Sequence, residues 1–116
     1  MYIQGVTTSG FDVFGTGVRT KILVAIGILG ESHAPELARA LGIGPTTARN
    51  ALDTLERAGL VSGRIEGNTR RVKLNVSFRA YPELKALLDK LASGDPALLS
   101  ALAETRRRPR RAGKEL

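Results

Sequence analysis

The sequence has no cysteine, no tryptophan and a single histidine among its 116 residues, and aromatic residues make up only 4% of it. Without cysteine, the chain has no disulfides, no thiolate metal sites and no thiol redox chemistry. A lone imidazole makes no metal site, and His33 has no visible nucleophile as a partner, so we expect a structural or solvent-facing role for it. The scarcity of aromatic residues predicts an aliphatic core.

Long apolar runs are missing as well. No stretch is apolar over the length that a membrane span requires, and the N-terminus lacks a charged segment followed by an apolar one. These features favour a cytoplasmic protein. Because no carboxylate pair, nucleophile–base arrangement or metal cluster emerges from the chain, we expect a protein that is not an enzyme and that uses no metal or cofactor.

Positive charge is plentiful but unevenly distributed. The formal net charge is +7, made up of −1 over residues 1–38, +5 over 39–81, −2 over 82–104 and +5 over 105–116. The excess therefore lies in one central segment and at the C-terminus. Such a concentration is typical of a protein that binds a polyanion.

The central segment begins with two short predicted helices. Proline in the first turn and glycine after the last residue predict a helix over Pro35–Leu41 that ends at Gly42. A second helix is predicted from Pro45 to about Ala58, and its inward face is formed by Ala48, Ala51, Leu52 and Leu55. The outward face then begins with side chains that can bond phosphates and base edges: Thr46, Thr47, Arg49 and Asn50. We also assign Asp53, on the same face, to the DNA-binding residues and interpret it as a partner for Arg57 or Arg49.

A β-hairpin is predicted directly after these helices, over residues 61–75. Gly67-Asn68 is a turn dipeptide, and the alternation predicts that Ile65, Val72 and Leu74 face inward. Three arginines are expected to cluster near the tip, where they would straddle a nucleic-acid backbone or enter a minor groove. The residues that we assign to such contacts are Arg64, Asn68, Thr69, Arg70, Arg71 and Lys73.

The remaining segments precede and follow the two helices and the hairpin. Residues 1–17 are predicted to form an irregular arm in which Phe11 and Phe14 pack on the core or on a partner chain. An apolar helix is predicted over 18–29, and two leucine-rich helices over 81–104 are expected to form a dimer interface with it or to fold back on their own domain. Residues 105–116 are predicted to be a disordered basic tail that either reaches along phosphates or only solubilises the chain.

Three runs of this sequence resemble the ArsR-like winged-helix transcriptional regulators: FGTGVRTKILVAIG, PELARALGIGPTTARNALDTLERAGLVSGRIEGNTRRVKLN and YPELKALLDKL. The resemblance covers roughly residues 14–91 and is most specific at residues 55–61 and 66–68. It is closest to a subgroup often encoded beside, or fused to, nucleotidyltransferase domains. It implies a second helix that enters the major groove, a hairpin that flanks it and a dimer interface built from the terminal helices and the first helix. The cysteines or His/Asp pairs of metal-sensing members are missing, so metal sensing is not implied.

We therefore expect a mainly α protein with a small β-hairpin wing, an α+β winged helix-turn-helix with extra C-terminal helices. Its expected function is that of a homodimeric transcriptional regulator that binds double-stranded DNA, with a recognition helix over 45–58 and a wing over 61–75. Two alternatives remain: a protein-interaction module for a partner such as a nucleotidyltransferase, and an RNA binder. The hairpin lacks stacking aromatic residues, which disfavours recognition of single-stranded RNA.

Overall fold

The computed structural model describes residues 17–107, which form five helices and one two-stranded antiparallel sheet. The chain is mainly helical with a β-hairpin, as the sequence predicts. The elements in chain order are α1 (Gly17–Leu29), α2 (Ala34–Leu41), α3 (Pro45–Arg57), β1 (Val61–Glu66), β2 (Thr69–Leu74), α4 (Tyr81–Ser93) and α5 (Pro96–Arg107). The predicted contributions of residues 1–16, including Phe11 and Phe14, and of residues 108–116 lie outside the described residues.

The core is built around α1, whose residues 22–26 are all buried. This helix packs against α3, α4 and β2, and it also contacts α2 and α5. The two C-terminal helices fold back on their own domain, because Leu84 and Leu88 of α4 and Leu98 and Leu102 of α5 join the same aliphatic core. Most of this apolar helix is thus covered within one chain, but Ile28 near its end is 40% exposed.

The helix ends follow the local chemistry of the sequence. Proline occupies the first turn of α2, α3 and α4, where a missing N–H breaks no intrahelical bond. Gly42 ends α2 at φ 68°, a left-handed conformation in which a side chain would be strained. The Asp95 carboxylate accepts a hydrogen bond from the Leu98 N–H at 3.1 Å and so caps α5.

The C-terminal boundary differs from the prediction, because α5 continues beyond Glu104 to Arg107. The Thr105 hydroxyl donates to the Ala101 carbonyl oxygen at 2.8 Å, and Arg106 is held by the Glu36 carboxylate. Residues 105–107 therefore belong to the folded domain rather than to a tail. The sequence pattern missed this because the partner of Arg106 lies on another helix.

The hairpin has a two-residue turn at Gly67-Asn68, and Gly67 adopts the positive φ of 63° that such a turn requires. Its register places Val61 opposite Leu74 and Gly63 opposite Val72 on the face that packs on the core. Ser32 adds a single bridge to Val72.

The exposure of Ile65, near the tip of the hairpin, differs from the prediction. Ile65 lies on the same face as Val61 but is 72% exposed, so its predicted inward position is wrong. The physical reason is that the hairpin projects past the helices that cover Val61, Val72 and Leu74. Strand alternation specifies the face of a residue but not how far the core reaches beneath that face.

Candidate functional site

The outward face of α3 carries the polar residues that the sequence singles out. Its N-terminal half exposes the four predicted contact residues Thr46, Thr47, Arg49 and Asn50, whereas the opposite face is buried through Ala48, Ala51, Leu52 and Leu55. The exposed half contains no carboxylate. It presents hydroxyls, an amide and a guanidinium, groups that suit phosphate oxygens and base edges.

Two clefts border this face of α3. One, of about 150 Å³, lies between α3, the start of α2 and the hairpin turn, and it brings Arg49 together with Asn68, Thr69 and Arg70. The other, of about 240 Å³, lies between α3 and the start of α1, and it places Thr47 and Asn50 beside Arg19. The structure therefore joins residues from α3 and from the hairpin turn into one surface.

The three hairpin arginines do not form the single cluster that the sequence predicts. The register pairs Arg64 with Arg71 on one face and places Arg70 on the other, opposite Ile65. Because side chains alternate along a strand, neighbouring Arg70 and Arg71 point to opposite faces. The prediction of one cluster at the tip is wrong for this reason.

Arg64 and Arg71 converge on Glu31, in the connector between α1 and α2. Both terminal nitrogens of Arg64 donate to the Glu31 carboxylate, and Arg71 approaches the same carboxylate at 3.5 Å. Arg64 also contacts Glu66 at 3.3 Å. The hydrogen bonds from Arg64 lower the pKa of Glu31, and the same bonds raise the pKa of Arg64. Glu31 and Glu66 therefore offset the charges of Arg64 and Arg71 within the domain, whereas Lys73 adds a further positive charge on the same face.

Arg70 reaches α3 instead. Its two terminal nitrogens donate to Asp53 at 2.7 Å and to Glu56 at 2.6 Å. Burial disfavours the charged guanidinium, but the hydrogen bonds to Glu56 and Asp53 outweigh burial and raise the pKa of Arg70. The partner of Asp53 is thus Arg70 and not one of the two predicted arginines. Arg57 donates instead to the Thr54 hydroxyl at 3.5 Å. Arg49 donates to the Thr46 hydroxyl at 3.4 Å.

Some contributors to this site escaped the sequence analysis. Glu31 and Glu56 supply carboxylates to the hairpin arginines, and Arg19 borders the α3 surface. Their positions depend on contacts between distant segments, so no local pattern marks them. Among the predicted residues, Asn68 and Lys73 are exposed on the hairpin, whereas Thr69 is half-buried.

Two further features are absent from the described residues, 17–107. No cluster of three or more His, Asp or Glu side chains suited to a metal ion occurs among them. None of their helices has the length and apolar character needed to cross a membrane.

Comparison with known proteins yields no family assignment. No protein-family model matches the chain, and a search of curated proteins gives no significant match.

Proposed function

We propose that this protein is a DNA-binding transcriptional regulator whose fold is a winged helix-turn-helix. In this proposal α2 and α3 are the helix-turn-helix, α3 is the recognition helix and the hairpin is the wing. The turn Gly42-Ile43-Gly44 joins α2 to α3, and the hairpin follows α3 after three residues. The major groove of DNA is about 12 Å wide and admits one α-helix.

The distribution of charge on α3 is the observation that carries this proposal. The exposed N-terminal half of α3 has no carboxylate, and both carboxylates of its C-terminal half, Asp53 and Glu56, are bound to Arg70. A polyanion approaching the N-terminal half therefore meets hydrogen-bond donors, and the two carboxylates farther along the helix are both hydrogen-bonded to Arg70. Arg49 and Asn50 are the proposed readers of bases, since arginine pairs with guanine and asparagine with adenine in the major groove.

We further propose that the protein acts as a homodimer with one recognition helix per half-site, about 34 Å apart. Leu87 on α4 and Leu99 on α5 support this proposal, because they are 39% and 38% exposed although their neighbours fill the core. We expect Leu87→Glu and Leu99→Glu to shift the chain from dimer to monomer in sedimentation equilibrium. A wild-type chain that stays monomeric at high concentration would refute the dimer.

The test of DNA binding is a salt titration with the DNA upstream of the protein's own gene and with a shuffled duplex. A truncation after Arg107 separates the domain from the basic C-terminus while keeping the Arg106–Glu36 contact. We expect the truncated protein to prefer the native duplex at every salt concentration, and the full chain to add affinity for both duplexes. Loss of all preference after truncation would contradict the proposal and would favour the partner-module alternative.

A substitution at Arg49 tests the proposed base contact directly. We expect Arg49→Ala to lower the preference for native over shuffled DNA by about 5- to 150-fold, which corresponds to roughly 1–3 kcal/mol for one base contact. Lys90→Ala on α4 is the control, since it removes one positive charge from another helix. Equal loss of affinity for both duplexes in Arg49→Ala would show that Arg49 contacts only the backbone.

A further inference from the structure

One arginine of the hairpin, Arg70, reaches α3 with its side chain. Arg70 stands on the inward face of β2, in line with Val72 and Leu74, and its register partner is Ile65. Val72 is fully buried, but Ile65 is 72% exposed. Apolar packing between the hairpin and the helices therefore ends at Val72, and beyond it Arg70 supplies the contact with α3.

The contact itself is made by two charge-assisted hydrogen bonds to two different carboxylates. One terminal nitrogen of Arg70 donates to Asp53 and the other to Glu56, at 2.7 and 2.6 Å. Asp53 and Glu56 are three residues apart, so they lie on one face of α3 and bind the planar guanidinium together. A Cβ built at Gly63 would lie 3.2 Å from the Glu56 carboxylate oxygens, so this carboxylate also lies close against β1.

This geometry argues against a phosphate contact by Arg70. The cluster of one guanidinium and two carboxylates has a net charge of −1, which repels a phosphate. Binding a phosphate through the same nitrogens would also require breaking two short hydrogen bonds between charged groups. The side chain is 29% exposed, less than either of its partners.

An isolated two-stranded hairpin is marginally stable, so the direction of its tip must be set by what it contacts. We propose that Arg70, Asp53 and Glu56 form a clamp that positions the hairpin turn relative to the recognition helix. Arg70 is thus a positioning residue rather than a DNA ligand. The clamp lies beside the cleft that is lined by Arg49 and Asn68. It therefore sets the position of Asn68 relative to Arg49, so that both residues can contact the same DNA site. This inference rests on the proposed function.

The experiment compares Arg70→Gln with the double variant Asp53→Asn/Glu56→Gln. Both open the clamp, but the first removes a positive charge and the second removes two negative charges. If the clamp positions the hairpin, both variants lower the preference for native over shuffled duplex, by about fivefold or more, the value of a single base contact. Lys90→Gln is the charge control and should leave this preference unchanged.

The salt dependence of DNA binding distinguishes a positioning role of Arg70 from a phosphate contact made by Arg70. A lost phosphate contact would weaken binding to both duplexes equally and reduce the salt slope by about one unit. The clamp predicts an unchanged salt slope in Arg70→Gln together with reduced preference. Unchanged preference in both clamp variants would overturn the inference, as would reduced preference in only one of them.

Amide hydrogen exchange tests the clamp without DNA. We expect the amides of Asn68 and Thr69 to exchange at least several-fold faster in both variants than in the wild type, while the amides of α1 stay protected. Unchanged exchange at the hairpin turn would overturn the clamp even if DNA binding is established. If the wild type binds no duplex in a salt-sensitive manner, the proposed function fails, and accelerated exchange would still support the clamp as a structural feature.

Discussion

Arg106 in the last turn of α5 donates hydrogen bonds to both carboxylate oxygens of Glu36 in the first turn of α2, at 2.6 and 3.1 Å. The same carboxylate accepts a bond from the Ser32 hydroxyl at 2.6 Å and is nearly buried. Arg106 also donates to the Glu31 carbonyl oxygen at 2.6 Å. These hydrogen bonds connect α5 to α2, which belongs to the helix pair that binds DNA in our proposal.

The first prediction concerns this contact. Arg106→Ala should lower the free energy of unfolding by about 1–2 kcal/mol, because it leaves a nearly buried carboxylate without its main partner. This value is reduced for solvent screening, since the Arg106 side chain is 44% exposed. Arg107→Ala is the matched control. Its side chain is 72% exposed and pairs with Glu104 one turn away, so we expect a loss of about 0–0.5 kcal/mol. Equal losses in urea unfolding would contradict the prediction.

The second prediction concerns pH. Burial lowers the pKa of His33 below 6.5, even though Glu36 lies nearby. Between that lowered pKa and 6.5 the unfolded chain binds a proton that the folded chain does not, so stability must fall as the pH falls below 6.5. Chemical unfolding measured between pH 8 and 5 should show this decline, and His33→Gln should remove it. A decline of the same size in the variant would show that other groups cause it.

Glu36 makes the free energy of unfolding fall further at lower pH. Burial disfavours its charged form, but hydrogen bonds from Arg106 and Ser32 outweigh burial and lower the pKa of the carboxyl below 4.5. The stability that this group provides is complete above 4.5 and is lost as the pH falls through the lowered pKa. We expect Glu36→Gln to flatten the dependence of the free energy of unfolding on pH in this acid range.

The third prediction concerns the carboxylate that holds two hairpin arginines. Glu31→Gln should release Arg64 and Arg71 from their shared partner, which raises the affinity for both native and shuffled DNA and steepens the salt dependence. Asp89→Asn on α4 is the matched control, because it removes one negative charge from another part of the domain. Equal effects of the two variants in a binding titration would show that only net charge matters.

The fourth prediction tests how far the core extends under the hairpin. Ile65→Thr should change the free energy of unfolding by no more than about 0.5 kcal/mol, because the isoleucine is 72% exposed. Val72→Thr places a hydroxyl at a fully buried position and should cost about 1–3 kcal/mol. Both residues lie on one face of the hairpin and both replacements are β-branched, so strand propensity is matched. Similar losses at the two positions would contradict the core boundary described above.

Much of the fold could be predicted because its signals are local. The spacing of leucine and alanine along α3, proline in the first turns, Gly42 after α2 and the Gly67-Asn68 turn each act over a few residues. The helix and strand boundaries of the structure accordingly agree with the predicted ones to within one or two residues, except at the end of α5. The buried and exposed faces of α3 were also predicted, since helical periodicity alone defines them.

The sequence by itself determined which residues form helices, which form the hairpin and which half of α3 exposes Thr46, Thr47, Arg49 and Asn50. Only the tertiary structure decided the partners of the charged groups: Arg64 and Arg71 with Glu31, Arg70 with Asp53 and Glu56, and Arg106 with Glu36. The reason is physical. Helix and turn formation depend on neighbours in the chain, whereas an ion pair depends on distances that exist only after the helices have packed.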